Sequence, residues 1–427
     1  MSRAIPAVSD PIVVVGASLA GVRAAEGLRL GGFDGPLVVV GAERHRPYDR
    51  PPLSKQVLDG TADSDDSVAA LTELRIADDL GIIWRLGTSA VAVDIDRRRF
   101  HLSDGDDLGF DRAVLATGAV PRTLPGFEHR EGVHVVRTLD DGLALRRALE
   151  AQPKVVLIGA GFIGLEVAAS CRARGLEVTV LEAQPVPLAH VLGPLVGAAI
   201  ADMHRRAGVE MRLGVTVRGP AVAGPDAGPD AAAGGGVGGG GGVGGVVLDS
   251  GEVVAADLVI VGVGVVPATA WLEGAGIDVD RGIVCDNRLR VLAGGRPVPG
   301  LAAAGDVARW PAPGSVTPIR IEHWTNAADQ GLAAARVLLE PHDAPPFGPV
   351  PYVWSDQYTT KLQLIGRPSA SDDLQVLEGT PGEGKWLVAY GRHGRLTAAL
   401  GAGRPARVMK LRRSLAEGAA FPVLGLK

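Results

Sequence analysis

The sequence predicts an α/β protein with two Rossmann-like parallel-sheet units and a smaller α+β domain at the C-terminal end. Three observations indicate this architecture. A strand, a glycine-rich turn, a helix and a second strand follow one another at residues 11–43, and the same pattern returns at 154–182. Residues 352–427 then carry several strand-like runs and a basic helix. The 427 residues have room for two to three domains.

The unit at residues 154–182 has the more specific pattern. An apolar, β-branched strand leads into Gly159, Gly161 and Gly164, which have the G-x-G-x-x-G spacing, and a helix and a second strand follow. Gly159 permits the tight turn, Gly161 lets the backbone approach a pyrophosphate, and Gly164 lets helix and strand pack closely. We therefore expect a pyrophosphate at the helix N-terminus, where N–H groups and the helix dipole favour an anion.

Glu182 ends the second strand of that unit, where a carboxylate can accept hydrogen bonds from ribose hydroxyls. Its charge would repel a 2′-phosphate, and no Lys or Arg occurs between Glu182 and Arg205. The pattern therefore predicts an NAD site rather than an NADP site. The alternative is a glycine turn that binds no nucleotide.

The unit at residues 11–43 repeats the design with one departure. Gly16 and Gly21 are present, but Ser18 stands at the middle glycine position, and Glu43 follows the second strand. A small side chain still lets a pyrophosphate approach, so two units predict two nucleotides. The alternative is one working unit and one vestigial unit.

Composition excludes several classes of function. The net charge of −5 favours neither nucleic acid nor an anionic membrane. Two cysteines, Cys171 and Cys285, lie far apart and form no C-x-x-C pair, so a dithiol redox centre is excluded and Cys171 is expected to be a buried small side chain. No secretory signal is recognisable and the longest uncharged apolar run, 258–272, is too short to span a bilayer, so we expect a cytoplasmic protein. We predict no metal site.

Other segments carry candidate ligand contacts. The three prolines of residues 46–55 make a stiff support for Lys55, although an ordinary surface loop is the alternative. Asp306 follows a strand of small residues, and Trp324 lies at the start of a helix, where it packs either on a ligand ring or in the core. Residues 219–245 are almost entirely Gly, Ala, Pro and Val, which predicts a flexible insertion between two hairpin strands. A small antiparallel hairpin is also expected from residues 81–94 and 100–103.

The ordered set of motifs resembles the glutathione-reductase-like flavoproteins, through the two glycine units, ATG at 116–118 and GD at 305–306. Three further motifs narrow the resemblance: PYDRPPLSK at 47–55, RIEHWTNA at 320–327 and WSDQY at 354–358. They are similar to the FAD-dependent NADH:ferredoxin reductases of the putidaredoxin reductase type. Those enzymes serve bacterial cytochrome P450 and ring-hydroxylating dioxygenase systems.

The resemblance implies a division into three domains. The FAD-binding domain would be discontinuous, the NAD-binding domain would contain the glycine-rich insertion at 219–245, and a reductase domain would end the chain. The implied boundaries are 1–120 with 257–335 for FAD, 121–256 for NAD and 336–427 for the reductase domain.

The resemblance also implies which residues contact the cofactors. On the FAD side they are Gly16, Ala20, Gly21, Glu43, Lys55, Ala90, Arg137, Asp306 and Trp324. On the NADH side they are Gly161, Ile163, Gly164 and Glu182. Lys55 and Glu166 are expected to form a catalytic ion pair near the flavin N5 atom, which would hold Lys55 in place during hydride transfer.

The implied activity is transfer of a hydride from NADH to FAD, and then of single electrons to a [2Fe-2S] or other small iron–sulfur ferredoxin that supplies a P450 or ring-hydroxylating oxygenase. The candidates for a surface that binds an acidic ferredoxin are Arg309, Arg320 and a basic segment at 404–413. For the segment, the alternative is a solvated helix face. The competing functions are an NADH oxidase and a redox-regulated binding protein of the apoptosis-inducing-factor type. A monomer or a homodimer is expected, with no nucleic-acid or membrane partner.

Overall fold

The computed structural model describes residues 10–76, 80–222, 242–313 and 317–424. The chain divides into two compact units, each made of three segments. The first unit comprises Met1–Asp49, Glu73–Val120 and Val266–Pro349, and the second comprises Arg50–Thr72, Pro121–Val265 and Val350–Lys427.

A six-stranded sheet forms the centre of the first unit. Its order is Arg290–Ala293, Arg296–Ala303, Arg112–Leu115, Ile12–Val15, Leu37–Gly41 and Ile82–Leu86. The strands are parallel except for the first of these, which pairs antiparallel to its neighbour. The central strand Ile12–Val15 is buried on both faces, which explains its unbroken apolar sequence.

Helices Leu19–Leu30 and Trp324–Leu339 of this unit pack with their backbones close together. A Cβ atom on Gly27 would lie 2.8 Å from the Ala335 Cβ, and one on Gly331 would lie 2.4 Å from the Ala20 carbonyl oxygen. Any side chain at either glycine would therefore push the helices apart.

Shorter elements complete the first unit. Its other strands are Ala90–Asp94, Arg99–Leu102, Asp107–Gly109, Ile283–Val284, Ala308–Pro311 and Pro318–Ile319. Its 3₁₀ turns are Ala270–Leu272 and Gly305–Val307, and two strands, Ala119–Pro121 and Val265–Pro267, cross the boundaries of the division.

The second unit contains a five-stranded, fully parallel sheet. Its order is Glu210–Leu213, Val178–Glu182, Val155–Ile158, Leu258–Val261 and Val133–His134. Leu258–Val261 pairs with Val155–Ile158 along its whole length, although the boundaries implied by the resemblance place it in the FAD-binding segment. The four residues of this strand are branched and apolar, which suits a strand buried on both faces in either parallel sheet. The composition of the strand therefore does not indicate to which sheet it belongs.

A second, antiparallel sheet of this unit is formed by the C-terminal segment. Its order is Tyr352–Gln357, Thr360–Gly366, Arg395–Ala402, Glu383–Arg392 and Asp373–Thr380, and helix Pro405–Ala416 packs on it through Val408 and Leu411. The remaining helices are Asp65–Leu71, Leu139–Ala148, Phe162–Ala173 and Ala189–Arg206, with 3₁₀ turns at Pro51–Ser54 and Leu149–Ala151. The remaining strands are Val217–Val222, Val243–Leu248 and Val253–Ala255. The predicted α/β class, with two parallel-sheet units and a C-terminal α+β portion, is confirmed.

The structure differs locally from the predicted hairpin and from the predicted glycine-rich insertion. Ile82–Leu86 is not a hairpin strand, because it joins the six-stranded sheet beside Leu37–Gly41. The expected antiparallel pairing is found between Ala90–Asp94 and Arg99–Leu102. Strands Val217–Val222 and Val243–Leu248 pair antiparallel, so residues 219–222 and 243–245 of the predicted insertion are strand and not flexible. Residues 223–241 lie outside the described part of the chain. Among the described helices, none combines the length and apolar character that a bilayer crossing requires.

Candidate functional site

The turn Gly16–Gly21, which we call the first cradle, has no space for side chains at either end. Gly16 has φ +118°, and a Cβ atom there would lie 2.1 Å from the Ala116 carbonyl oxygen. A Cβ atom on Gly21 would lie 1.8 Å from the Gly16 carbonyl oxygen. Both predicted glycines are therefore required by the local backbone.

Ser18 occupies the N-cap position of helix Leu19–Leu30 in an extended backbone conformation. Its carbonyl oxygen accepts the first helical hydrogen bond, from the Val22 N–H at 2.9 Å, while its side chain makes no capping bond. The departure from glycine therefore leaves the helix start intact. The first-turn N–H groups, which have no intrahelical acceptor, retain the arrangement that suits a phosphate oxygen.

The turn at Gly305–Asp306 meets the first cradle within the same unit. Gly305 has φ +78°, and a Cβ atom on it would lie 2.9 Å from the Ala20 Cβ. Its N–H donates to the Gln330 Oε1 at 2.8 Å. Two predicted FAD contacts that are far apart in sequence, Ala20 and Asp306, are thus brought to one place.

Gln330 was not singled out by the sequence analysis. Its side chain is fully buried, and among the described residues its Nε2 group has no hydrogen-bond partner. A buried, unpaired amide beside a phosphate cradle is a donor that a bound ligand or an ordered water would satisfy. The first cradle therefore fits a dinucleotide at the position where FAD is predicted.

The remaining FAD candidates of the first unit lie on other elements. The Tyr48 hydroxyl donates to the Glu43 carboxylate at 2.5 Å, and the Trp324 indole N–H donates to the Asp49 Oδ1 at 2.6 Å. Trp324 is half-buried, so it is neither a core tryptophan nor a fully exposed one. Ala90 opens the first strand of a separate three-stranded sheet, where its contact with FAD stays a prediction.

The turn Gly159–Gly164, the second cradle, repeats this geometry in the second unit. Gly159 has φ +100°, and its Cβ atom would lie 2.5 Å from the Gly262 carbonyl oxygen. A Cβ atom on Gly164 would lie 2.5 Å from the Gly159 carbonyl oxygen, so helix and turn touch there. Gly161, the N-cap of helix Phe162–Ala173, has open space where its side chain would be. The tight turn at Gly159 and the close packing at Gly164 are as the sequence predicts, while the approach of a pyrophosphate to Gly161 stays a prediction.

Glu182 is fixed beside the second cradle by two backbone groups. Its Oε2 accepts a hydrogen bond from the Ala160 N–H at 2.7 Å, and its Oε1 accepts one from the Gln184 N–H at 2.8 Å. Each carboxylate oxygen has a second lone pair, so both remain able to accept from ribose hydroxyls. Ile163, in the first turn of the helix, is 50% exposed and offers an apolar surface next to Gly161.

Lys55 and Glu166 form the ion pair that the resemblance implies. The Lys55 Nζ lies 2.6 Å from the Glu166 Oε2, and Glu166 is only 4% exposed. The carboxylate has two further donors, the Ser54 hydroxyl at 2.6 Å and the Ser355 hydroxyl at 2.7 Å. Three donors therefore compensate the burial of this carboxylate.

The proline-rich segment reaches Glu166 because it packs within the second unit. Pro51–Ser54 is a 3₁₀ turn, and the Ser170 hydroxyl donates to the Ser54 carbonyl oxygen at 2.8 Å. Leu53 packs against Gly142 so closely that a Cβ atom on the glycine would lie 3.1 Å from the leucine side chain. Lys55 and Arg137, both predicted FAD contacts, belong to the second unit. Their contact with FAD stays a prediction.

Both cysteines are buried and free. Burial raises the pKa of the Cys171 thiol to about 12, and burial raises the pKa of Cys285 further still. Neither thiol is therefore a nucleophile at neutral pH. The expectation of a buried Cys171 is confirmed.

The C-terminal basic segment has five cations, Arg404, Arg407, Lys410, Arg412 and Arg413, and acidic neighbours pair with part of it. The Arg404 and Arg407 guanidinium groups both pair with Glu378, at 3.1 and 3.0 Å, and Arg413 pairs with Glu417 at 3.8 Å. These two carboxylates are fewer than the five cations of the segment, so the docking surface and the solvated helix face both stay predictions. Among the described residues, no cluster of His, Cys, Asp and Glu is arranged to hold a metal ion.

Two parallel-sheet units, each with its own phosphate cradle and a strand-end carboxylate, define a protein of the class that binds two dinucleotides. The chain belongs to the pyridine nucleotide-disulphide oxidoreductase family, whose model matches residues 10–331. A reductase C-terminal model matches residues 352–424.

Relatives of known activity extend along nearly the whole chain. The chain is 36% identical to rhodocoxin reductase of Rhodococcus erythropolis, covering 95% of this chain and 89% of that protein. It is 38% identical to the ferredoxin--NAD(+) reductase component of the anthranilate 1,2-dioxygenase system of Burkholderia cepacia, covering 98% and 99%. The crystal structure of the covalent putidaredoxin reductase–putidaredoxin complex superposes with a TM-score of 0.84 at 32% identity, covering 96% of this chain and 93% of that one.

Proposed function

We propose that this chain is an FAD-dependent NADH:ferredoxin reductase that supplies electrons to a cytochrome P450 or a ring-hydroxylating oxygenase through a small iron–sulfur ferredoxin. The observation that carries the proposal is the full-length likeness to reductase components of such systems, with both cradles retained. A retained fold with a blocked cradle would have argued against it.

The first cradle is proposed to hold FAD. Gly16 and Gly21 keep the backbone close to the pyrophosphate, the first turn of helix Leu19–Leu30 faces its charge, and the Gln330 amide supplies an unmet donor. When bound, FAD accepts a hydride and releases electrons singly, which is the chemistry needed between a nicotinamide and an iron–sulfur centre.

The second cradle is proposed to hold NADH. The open side of Gly161 admits the pyrophosphate, Ile163 covers it from the helix, and the two oxygens of Glu182 bind the adenosine ribose hydroxyls. The charge of Glu182 makes a 2′-phosphate unfavourable, so we propose a preference for NADH over NADPH.

Lys55 is proposed to act as a fixed positive charge during hydride transfer. Glu166 and the Pro51 carbonyl oxygen hold its ammonium group, at 2.6 and 3.2 Å, so little reorganisation is needed as charge develops. Arg137, Ala90 and the domain boundaries implied by the resemblance belong to the same proposal. The exception among those boundaries is Leu258–Val261, which pairs within the sheet of the second unit. A cytoplasmic location and a monomeric or dimeric state are also proposed.

The competing functions have less support. An NADH oxidase of this architecture uses a reactive cysteine, whereas residues 46–55 contain none and both thiols are buried. The relatives favour the ferredoxin reductase and add nothing to the alternative of the apoptosis-inducing-factor type.

The proposal is tested with the purified, FAD-loaded protein. NADH should bleach the flavin within one turnover, and catalytic reduction of cytochrome c should require an added [2Fe-2S] ferredoxin. The Cys171→Ala variant serves as the control and should keep this turnover. Failure to bind FAD, or flavin reduction that no ferredoxin can relay to cytochrome c, would overturn the proposal.

A further inference from the structure

A continuous chain of buried hydrogen bonds leads away from Glu166 within the second unit. The Ser355 hydroxyl, which donates to Glu166, accepts a bond from the Gln357 Nε2 at 3.1 Å. The Gln357 Oε1 lies 3.0 Å from the His204 Nε2, and the His204 Nδ1 lies 2.9 Å from the Tyr358 hydroxyl. No part of this chain is used by the function proposed above.

Three elements of the second unit supply these groups. Ser355 and Gln357 are two residues apart on strand Tyr352–Gln357, so their side chains lie on the same face. Helix Ala189–Arg206 supplies His204, whose ring centre lies 5.1 Å from that of Tyr358. Ser355, Gln357 and His204 are at most 1% exposed. Tyr358 adopts φ +56°, and its hydroxyl lies against the His204 ring.

The hydrogen atoms of this chain can all point toward Glu166. An amide oxygen only accepts, so His204 carries its proton on Nε2, and Tyr358 donates to the bare Nδ1. With its oxygen toward His204, the Gln357 amide has its nitrogen toward Ser355. Because the Ser355 oxygen then accepts from Gln357, its single proton is directed to the Glu166 Oε1.

The reverse orientation would remove a donor from Glu166. If the Gln357 amide were turned over, its oxygen would face Ser355 and would take the hydroxyl proton for itself. Glu166 would then keep only the donors from Ser54 and Lys55. The orientation of a glutamine two residues along the strand therefore decides how firmly the buried carboxylate is held.

Neither ring at the far end of the chain introduces a competing charge. Burial lowers the pKa of His204 to about 4, and burial also raises the pKa of Tyr358, with Arg172 partly opposing that rise. Both are therefore neutral near pH 7. Lys55 is the cation that contacts the carboxylate directly.

We infer that Ser355, Gln357 and His204 are positioning residues for the Lys55–Glu166 pair. They act on hydride transfer through Glu166 and touch no ligand themselves. The inference rests on the proposed function for its kinetic consequence, but its structural content, an oriented carboxylate that immobilises Lys55, is independent of that function.

Another glutamine of the same sheet serves as a matched control. Gln363 lies on the neighbouring strand Thr360–Gly366, is buried like Gln357, and donates to a tyrosine hydroxyl, that of Tyr352, at 2.8 Å. Within the described residues, no hydrogen bond joins Gln363 to Glu166. Gln357→Met and Gln363→Met therefore remove the same amide from the same sheet, but only the first change should reach Lys55.

The direct readout is the NMR signal of the Lys55 ammonium group in ¹⁵N-lysine-labelled, FAD-loaded protein. Few signals compete, because the chain has six lysines: Lys55, Lys154, Lys361, Lys385, Lys410 and Lys427. An ammonium held in a buried pair exchanges slowly with water, so we expect a resolved N–H signal for Lys55. Ser355→Ala and Gln357→Met should broaden or abolish it, while Gln363→Met should leave it unchanged.

The kinetic readout separates positioning from binding. In stopped flow, Ser355→Ala and Gln357→Met should lower the limiting rate of flavin reduction by about tenfold or more, the effect of one hydrogen bond to a charged group. The apparent Kd for NADH should change by less than about twofold, because the second cradle is untouched. Ser355→Thr, which keeps the hydroxyl, should restore most of the rate.

The outcomes are distinct. An unchanged Lys55 signal in Ser355→Ala and Gln357→Met, or a loss equal to that in Gln363→Met, would overturn the inference whatever the kinetics show. Loss of the signal with a slowed limiting rate would support it. A wild-type protein that NADH fails to reduce would contradict the proposed function instead, and the ammonium signal alone would then decide whether the chain positions Lys55.

Discussion

Replacing Lys55 with methionine should destabilise the second unit far more than replacing an exposed lysine. The Lys55 side chain is 11% exposed and its partner carboxylate is buried, so Lys55→Met strands a charge in the interior. Methionine preserves the apolar stem, which leaves the lost ion pair as the principal change. Lys154, which pairs with Glu177 at 2.8 Å but is 38% exposed, is the matched control in the same unit.

The magnitude follows from the donors that remain. Breaking one side of a buried ion pair costs about 3–5 kcal/mol. The Ser54 and Ser355 hydroxyls still donate to Glu166, so we take the lower end, about 3 kcal/mol. For a unit of this size that corresponds to a fall in Tm of about 6–12 °C. Lys154→Met should lower Tm by no more than about 2–4 °C, since exposed pairs contribute at most about 1 kcal/mol.

A second substitution should reverse most of the loss. In Lys55→Met/Glu166→Gln the buried group is a neutral amide. Its oxygen can accept from Ser355 while its NH2 group donates to the Ser54 hydroxyl oxygen, so more than half of the lost Tm should return. The assay is thermal unfolding at saturating FAD, because ligand occupancy itself shifts Tm. The reasoning would be refuted if Lys55→Met melted like Lys154→Met, or if the double variant melted below the single one.

Three further predictions address the second cradle and the buried histidine. Gly161→Ala should leave Tm unchanged, because its Cβ meets open space, yet it should weaken NADH binding about tenfold or more. Gly164→Ala should lower both the affinity for NADH and the Tm. NADH titration and thermal unfolding compare the two variants. Glu182→Gln removes the charge that opposes a 2′-phosphate, so the ratio of kcat/KM for NADH over NADPH should fall about tenfold, and an unchanged ratio would exclude this role. The pKa of His204 is lowered to about 4 from 6.5, so its stabilising contribution is complete above pH 6.5 and is lost as pH falls toward 4, by up to about 3 kcal/mol. His204→Gln should flatten the decline in Tm at acid pH. A decline identical to that of the wild-type protein would contradict the assignment of this pH dependence to His204.

Local patterns in the sequence were enough to predict the two cradles. A turn that requires a positive φ or a close backbone approach accepts glycine and little else, so Gly16, Gly159 and Gly164 are recognisable without knowledge of the fold. The strand-end carboxylate Glu182 follows by position in the same short unit. The ion pair of Lys55 with Glu166 did not follow from spacing, and was expected through the resemblance of the whole motif set.

Tertiary packing alone decided which distant groups complete each site. Gln330 reaches the first cradle because Gly331 lets two helices touch, and Ser355 reaches Glu166 because the C-terminal strand lies against helix Phe162–Ala173. The sheet to which Leu258–Val261 belongs was settled in the same way, by pairing with a partner about one hundred residues earlier. The physical reason is that a glycine turn is dictated by its own backbone angles, whereas a buried polar side chain is satisfied by whichever donor the folded chain brings within 3 Å.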